Sequence, residues 1–160
     1  MVSKRHCRRR VVEPVAGFRY HLAFERECVA SADIVYDLLA DVEQWPQWLS
    51  GVRSASWEHP NESNARVRRL TVSGLTMREK ILVADRPHHH AYAILSGIPV
   101  VDHRADVYIH GHGTGSLIVW QAEFGAKQAF LGPLIWLMLR ASMPRMVTAL
   151  ARGAERLSAD

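Results

Sequence analysis

The chain has 160 residues, the length of one domain, and its 48% hydrophobic and 22% charged residues give a globular balance that excludes disorder, collagen and coiled coil. A chain of this size buries roughly 70% of the surface its unfolded form exposes, so it needs neither disulfide nor metal to hold a core. The formal charge is +4, but Lys4, Arg5, Arg8, Arg9 and Arg10 supply five positive charges, and the other fifteen cations face 16 acids. The basic signal is therefore a segment and not a face of the fold, and no specific nucleic-acid partner is expected.

Residues 1–16 read as a flexible basic lead, and 17–160 as a single domain. Phe18, Tyr20, Leu22, Phe24 and Cys28 alternate with Arg19, His21, Glu25 and Glu27, the period of a half-buried strand over 18–29. Ser31 is then a good N-cap for a helix ending near Asp41, with Ile34, Val35, Leu38 and Leu39 at helical spacing. A short second turn spans Val42–Leu49 and contains Trp45, Pro46 and Trp48. Six strands follow, at 51–58, 65–73, 76–86, 89–96, 101–110 and 115–124. Their connectors carry turn residues: Pro60–Asn64, Ser73-Gly74, Arg86-Pro87, Gly97–Pro99 and Gly111–Gly115. That spacing predicts an antiparallel meander. The last segment, 130–157, is helical, and Pro144 is expected to kink or split it.

Cys7 and Cys28 make neither a disulfide framework nor a metal spacing, so a reducing, cytoplasmic setting is the default expectation. Val11-Val12-Glu13-Pro14 is no signal-peptide core, and the charge-free run Gln128–Leu139 is short for a bilayer span.

The order strand, two short helices, six strands and one long helix resembles the SRPBCC superfamily. This superfamily includes polyketide cyclase/dehydrase-like proteins, StAR-related lipid-transfer (START) domains and birch-pollen-allergen-like proteins. The run Ala30–Trp48, with its Trp45-Pro46-Gln47-Trp48 turn, carries the resemblance. Ser96-Gly97-Ile98-Pro99-Val100 and Ile118–Phe124 fit the later strands, so the likeness covers about 17–158. It implies an α+β helix-grip fold: a curved seven-stranded antiparallel sheet wrapped around the C-terminal helix, with a cavity between them. Members bind lipids, sterols, polyketides or plant hormones; some are cyclases and some are carriers. The fold does not decide among these.

Alternation on such a sheet predicts which side chains face inward. These are Tyr20, Leu22 and Phe24; Met77, Glu79, Ile81 and Val83; Val101, His103, Ala105, Val107 and Ile109; and Ile118, Trp120, Ala122 and Phe124. The strands at 65–73 and 89–96 give no clean phase, because Arg66, Arg68 and Arg69 fall close together. Glu79 and His103 are the polar inward residues. A carboxylate in an apolar cavity is held toward its neutral form, and an imidazole beside it can exchange protons. That pair suits the acid–base work of a cyclisation or dehydration, with Tyr20 or Tyr92 assisting. The alternatives are polar anchors without chemistry, or a bulge that turns Glu79 to water. Tyr20, Trp57, Met77, Tyr92, Trp120, Phe124, Ile135 and Met138 are the candidate ligand-lining residues, since pockets are mostly apolar and aromatic.

His88-His89-His90 does not make a metal site, because successive strand residues point to opposite faces. Gly111-x-Gly113-x-Gly115 leads into a strand, whereas a phosphate cradle needs a helix, so it reads as a hairpin. No cofactor motif is present. Phe130–Leu139 is apolar all round, more than a stripe requires. Its surplus face suits a cavity entrance with a dimer contact, or a transient membrane contact helped by the basic lead. The expected function is binding of a small lipophilic, lipid- or polyketide-like ligand in an internal cavity, as carrier or sensor. The alternatives are a cyclase/dehydrase-type enzyme and a regulatory protein-interaction module.

Overall fold

The computed structural model describes residues 9–10, 19–58 and 66–159. The turn expected at Pro60–Asn64, Cys7, and the cations Lys4, Arg5 and Arg8 lie outside them. A two-residue strand, β1 (Arg9–Arg10), falls within the segment read as a lead. The long strands are β2 (Arg19–Cys28), β3 (Val52–Trp57), β4 (Val67–Val72), β5 (Leu75–Asp85), β6 (His89–Ser96), β7 (Val100–His112) and β8 (Gly115–Ala126). The helices are α1 (Ala32–Ala40), α2 (Trp45–Trp48) and α3 (Gly132–Leu157). One antiparallel sheet runs in the order β1-β2-β8-β7-β6-β5-β4-β3. The seven long strands form the expected open sheet, and α3 lies on its inner face.

Local chemistry sets these elements. Ser31 caps α1, its Oγ accepting from the Ile34 N–H. Arg86, in the β5–β6 turn, pairs with both Asp33 and Asp37 and so ties that end of the sheet to α1. Ser73 and Gly74 both have positive φ, the geometry that a two-residue hairpin requires. Helix α3 packs chiefly on β2, β8 and α1 through Met143, Val147, Leu150, Ala151 and Ala154, all buried.

The inward phases hold for β2, β5 and β8: Leu22, Phe24, Glu79, Ile118, Trp120, Ala122 and Phe124 are all buried. In β7, Val101 departs from its expected place and is exposed. The register shifts between Val101 and Arg104, and Asp102 takes a positive φ, so this bulge turns Val101 out while His103, Ala105, Val107 and Ile109 stay in. Helix α3 runs through Pro144 as one element and is not split. Buried contacts on either side of the proline, Met143 and Val147, hold it to the sheet.

Candidate ligand-binding site

The two-residue turn Ser73-Gly74 fixes the register between β4 and β5 and sets Arg68 directly opposite Glu79. Both are inward and buried; Arg68 has no solvent exposure at all. Arg68 Nε donates to Glu79 Oε2 at 2.7 Å. The guanidinium lies between two ring faces, 4.2 Å from the centroid of Trp45 and 4.6 Å from that of Tyr92. Helix α2 supplies Trp45, whose Nε1 donates to the Leu39 carbonyl at 3.0 Å and so locks the ring. Arg68 is thus held by one carboxylate and two π faces. Its Nη1 and Nη2 are buried and have no acceptor among the described residues.

Further polar groups gather around this pair. His90, inward on β6, is buried with neither ring nitrogen hydrogen-bonded among the described residues. Burial, reinforced by the Arg68 and Arg66 cations, lowers its pKa to about 3. His103 Nδ1 accepts the Ile94 N–H at 3.2 Å, which leaves its ring proton on Nε2 in the neutral form. Burial lowers its pKa to about 4. Burial, and then the nearby Glu79 carboxylate, raise the Tyr92 phenol above its ordinary value. Tyr92 lies 6.0 Å from His103 and 6.4 Å from Trp120, centroid to centroid. The cluster sets the Arg68–Glu79 pair beside two imidazoles that are uncharged at neutral pH, with more donors than acceptors.

The structure brings Glu79, His103, Tyr92 and Trp120 into one buried region. Glu79 is already bound to Arg68, so it does not stand there as an isolated carboxylate. Tyr20 and Phe124 stack at 5.3 Å and pack in a second cluster with Ile135 under the start of α3, where a Cβ on Gly132 would strike the Tyr20 ring. Trp57 is half-buried beneath Arg66, 4.5 Å from its ring centroid, and Met77 is half-buried against Gly97. Met138 is 45% exposed on the outer side of α3, apart from the others. An apolar run without a polar face carries no signal of which side turns inward.

His89 and His90 do diverge across the sheet. His89 bonds Asp106 at 2.8 Å on the outer face, while His90 turns inward. Among the described residues no group of three potential metal ligands is present. Two surface concavities lie away from the cluster. One, of about 680 Å³, runs between α1, α2 and the end of α3; the other, of about 260 Å³, opens on the outer sheet face beside His21 and Arg104.

Residues 19–159 match the family model described as polyketide cyclase / dehydrase and lipid transport. No curated protein matches the sequence. The Zhui aromatase/cyclase from Streptomyces sp. R1128 superposes with a TM-score of 0.75 at 17% identity, over 86% of this chain and 94% of that one. A START superfamily protein from Mycobacterium smegmatis gives a TM-score of 0.73 at 17% identity, over 86% and 98%. Truncated norcoclaurine synthase from Thalictrum flavum gives 0.67 at 17% identity, over 88% and 96%. At these identities the likeness establishes the helix-grip fold alone.

Proposed function

The chain belongs to the polyketide cyclase / dehydrase and lipid transport family, and from that premise we propose that it binds a small lipophilic molecule bearing acceptor oxygens, between the sheet and α3, as a carrier or sensor. The observation that carries this reading is the pair of Arg68 nitrogens, Nη1 and Nη2, that have no acceptor among the described residues, in a fully buried guanidinium. Buried donors without acceptors are costly, and such a group persists in a folded protein for a reason. A carbonyl, phenolate or carboxylate oxygen would complete Arg68, with His90 and the His103 Nε2–H beside it. The rings of Trp45, Tyr92 and Trp120 supply the apolar surroundings. Glu79 takes the role of a counter-ion that keeps the cation in place.

The enzyme reading rests on the same groups. His103, uncharged at neutral pH, has a donor and not a base to offer, and the Glu79 carboxylate is engaged by Arg68. Polarisation of a carbonyl by Arg68 is the chemistry these positions favour.

The test is native mass spectrometry of the full chain purified from its own source, with extraction of what co-purifies. A stoichiometric lipophilic adduct carrying acceptor oxygen is expected, and it should be lost from the Arg68→Met/Glu79→Met double variant. An adduct of hydrocarbon alone, or one retained by that variant, overturns the reading. Recovery of the same molecule supplied to the protein supports carriage; a dehydrated or cyclised product identifies catalysis.

A further inference from the structure

The outer stripe of α3 is apolar at one end and basic at the other. Leu134, Leu137, Met138 and Ala141 are exposed at successive turns, and Arg145, Arg152 and Arg156 continue the same stripe to the helix end. Phe130, in the 3₁₀ turn that leads into α3, extends the apolar end. Four large side chains are left in water there: Phe130 is 73% exposed, Leu134 62%, Leu137 54% and Met138 45%. They are not displaced core residues. The opposite face of the same helix, through Ile135, Met143, Val147, Leu150, Ala151 and Ala154, is buried against the sheet and α1. Helix α3 therefore carries a second apolar surface that the fold does not require.

Charge decides what covers it. From Gly125 to Arg156 the one acid is Glu155, which accepts the Val29 N–H, whereas Lys127 precedes the helix and the stripe itself carries Arg145, Arg152 and Arg156. The guanidinium of Arg140 sits 5.1 Å from the centroid of Trp136, a ring packed against the core, so it lies off the stripe, and Asp102 near the start of β7 is paired with Arg19. A second copy laid parallel would set arginine on arginine. Laid antiparallel, it would set arginines on leucines. An anionic lipid surface satisfies both ends at once, because the acyl boundary takes Phe130, Leu134, Leu137 and Met138 while headgroup phosphates and carboxylates take the arginines.

We propose that the outer stripe of α3 is a peripheral docking surface for anionic membranes, with the start of the helix in the interface and its basic half over the headgroups. The helix does not span the bilayer, since its inner face is held by the sheet. The proposal does not rest on the ligand reading.

Flotation of the full chain with vesicles tests it, using phosphatidylcholine alone and phosphatidylcholine mixed with phosphatidylserine. Binding to the mixed vesicles is expected, weakened by added salt and about tenfold weaker on phosphatidylcholine alone. Leu134→Gln/Leu137→Gln/Met138→Gln should lose roughly tenfold or more, although the basic N-terminal segment is untouched. Arg145→Gln/Arg152→Gln should remove the preference for phosphatidylserine. The altered side chains are exposed, so the circular-dichroism melt should stay in place and serve as the folding control. No flotation of the wild-type chain overturns the proposal. So does a leucine variant that floats like wild type, since the basic segment would then be sufficient. A concentration-dependent dimer that the leucine variant abolishes, without vesicle binding, assigns the face to a second copy.

Discussion

A guanidinium with no solvent contact depends on every neighbour it keeps, which makes Arg68 and Glu79 sensitive to single changes and tolerant of paired ones. Glu79→Gln removes the anion and leaves a buried cation against two rings, a loss of about 3–5 kcal/mol measurable by urea unfolding. Arg68→Met/Glu79→Met removes both charges together and should cost far less, since apolar replacement of a buried pair is often neutral or stabilising. The two imidazoles set the pH dependence. Folding lowers their pKa from 6.5 to about 3 for His90 and about 4 for His103, in each case chiefly through burial. The unfolded chain takes up protons near pH 6.5 that the native chain refuses. Stability is therefore full above that pH and falls below it, down to the folded-state values, by about 1.4 kcal/mol per pH unit for each histidine. His90→Phe should roughly halve that slope between about pH 6 and about pH 5, and it should cost little near pH 7, because the lost nitrogens have no partners among the described residues. An unchanged slope would show that His90 is not buried as described.

Hairpins fix which residues meet, and at this scale the sequence is most legible and then abruptly silent. The meander from β3 to β8, the Ser31 cap and the inward phases of β2, β5 and β8 all follow from alternation and turn residues, whereas the long-range pairing of β2 with β8 does not. The Ser73-Gly74 turn, taken as a two-residue loop, already pairs position 68 with position 79. With Glu79 inward, Arg68 has to be inward too. Alternation alone leaves β4 without a phase, because three arginines in four residues look like a solvated face. Burying one of them against a ring from α2 depends on a contact no local pattern encodes. The bulge that turns Val101 outward is invisible for a similar reason, since Asp102 gives no glycine signal for its positive φ. The glycine-rich β7–β8 connection does read correctly as a hairpin, and the structure gives Gly115 a specific task. A Cβ there would meet the backbone carbonyl of Cys28, at the far end of β2. Backbone cannot swing aside as a side chain does. Gly115→Ala should cost about 1–3 kcal/mol in thermal or chemical unfolding, whereas Gly111→Ala, with open space around it, should cost much less.

Across the whole molecule the sheet is covered unevenly. Helix α3 is pressed on β2 and β8, and its second half also meets α1, whereas β3 and β4 form the edge farthest from β2 and β8 in the strand order. The buried polar cluster bridges these regions, with Arg68 on β4, Glu79 on β5, His90 and Tyr92 on β6, and Trp120 on β8. Ion pairing and ring contacts close the weaker half, while close apolar packing closes the stronger. Local opening should follow that division, since elements with few buried apolar contacts open at lower free energy than the global transition. Amide exchange should be slowest in β8, β2 and the second half of α3, where Leu22, Trp120, Phe124, Val147 and Leu150 are fully enclosed, and fastest among the long strands in β3. A ligand that completes Arg68 binds only the closed form, so it should slow exchange in β4, β5 and β6 and leave β2 and the second half of α3 near their ligand-free rates. Protection confined to α1, α2 and the end of α3 would instead place the ligand in the groove beside Trp48 and Leu157. Hydrogen exchange read by mass spectrometry distinguishes the two patterns whatever the chemical identity of the ligand.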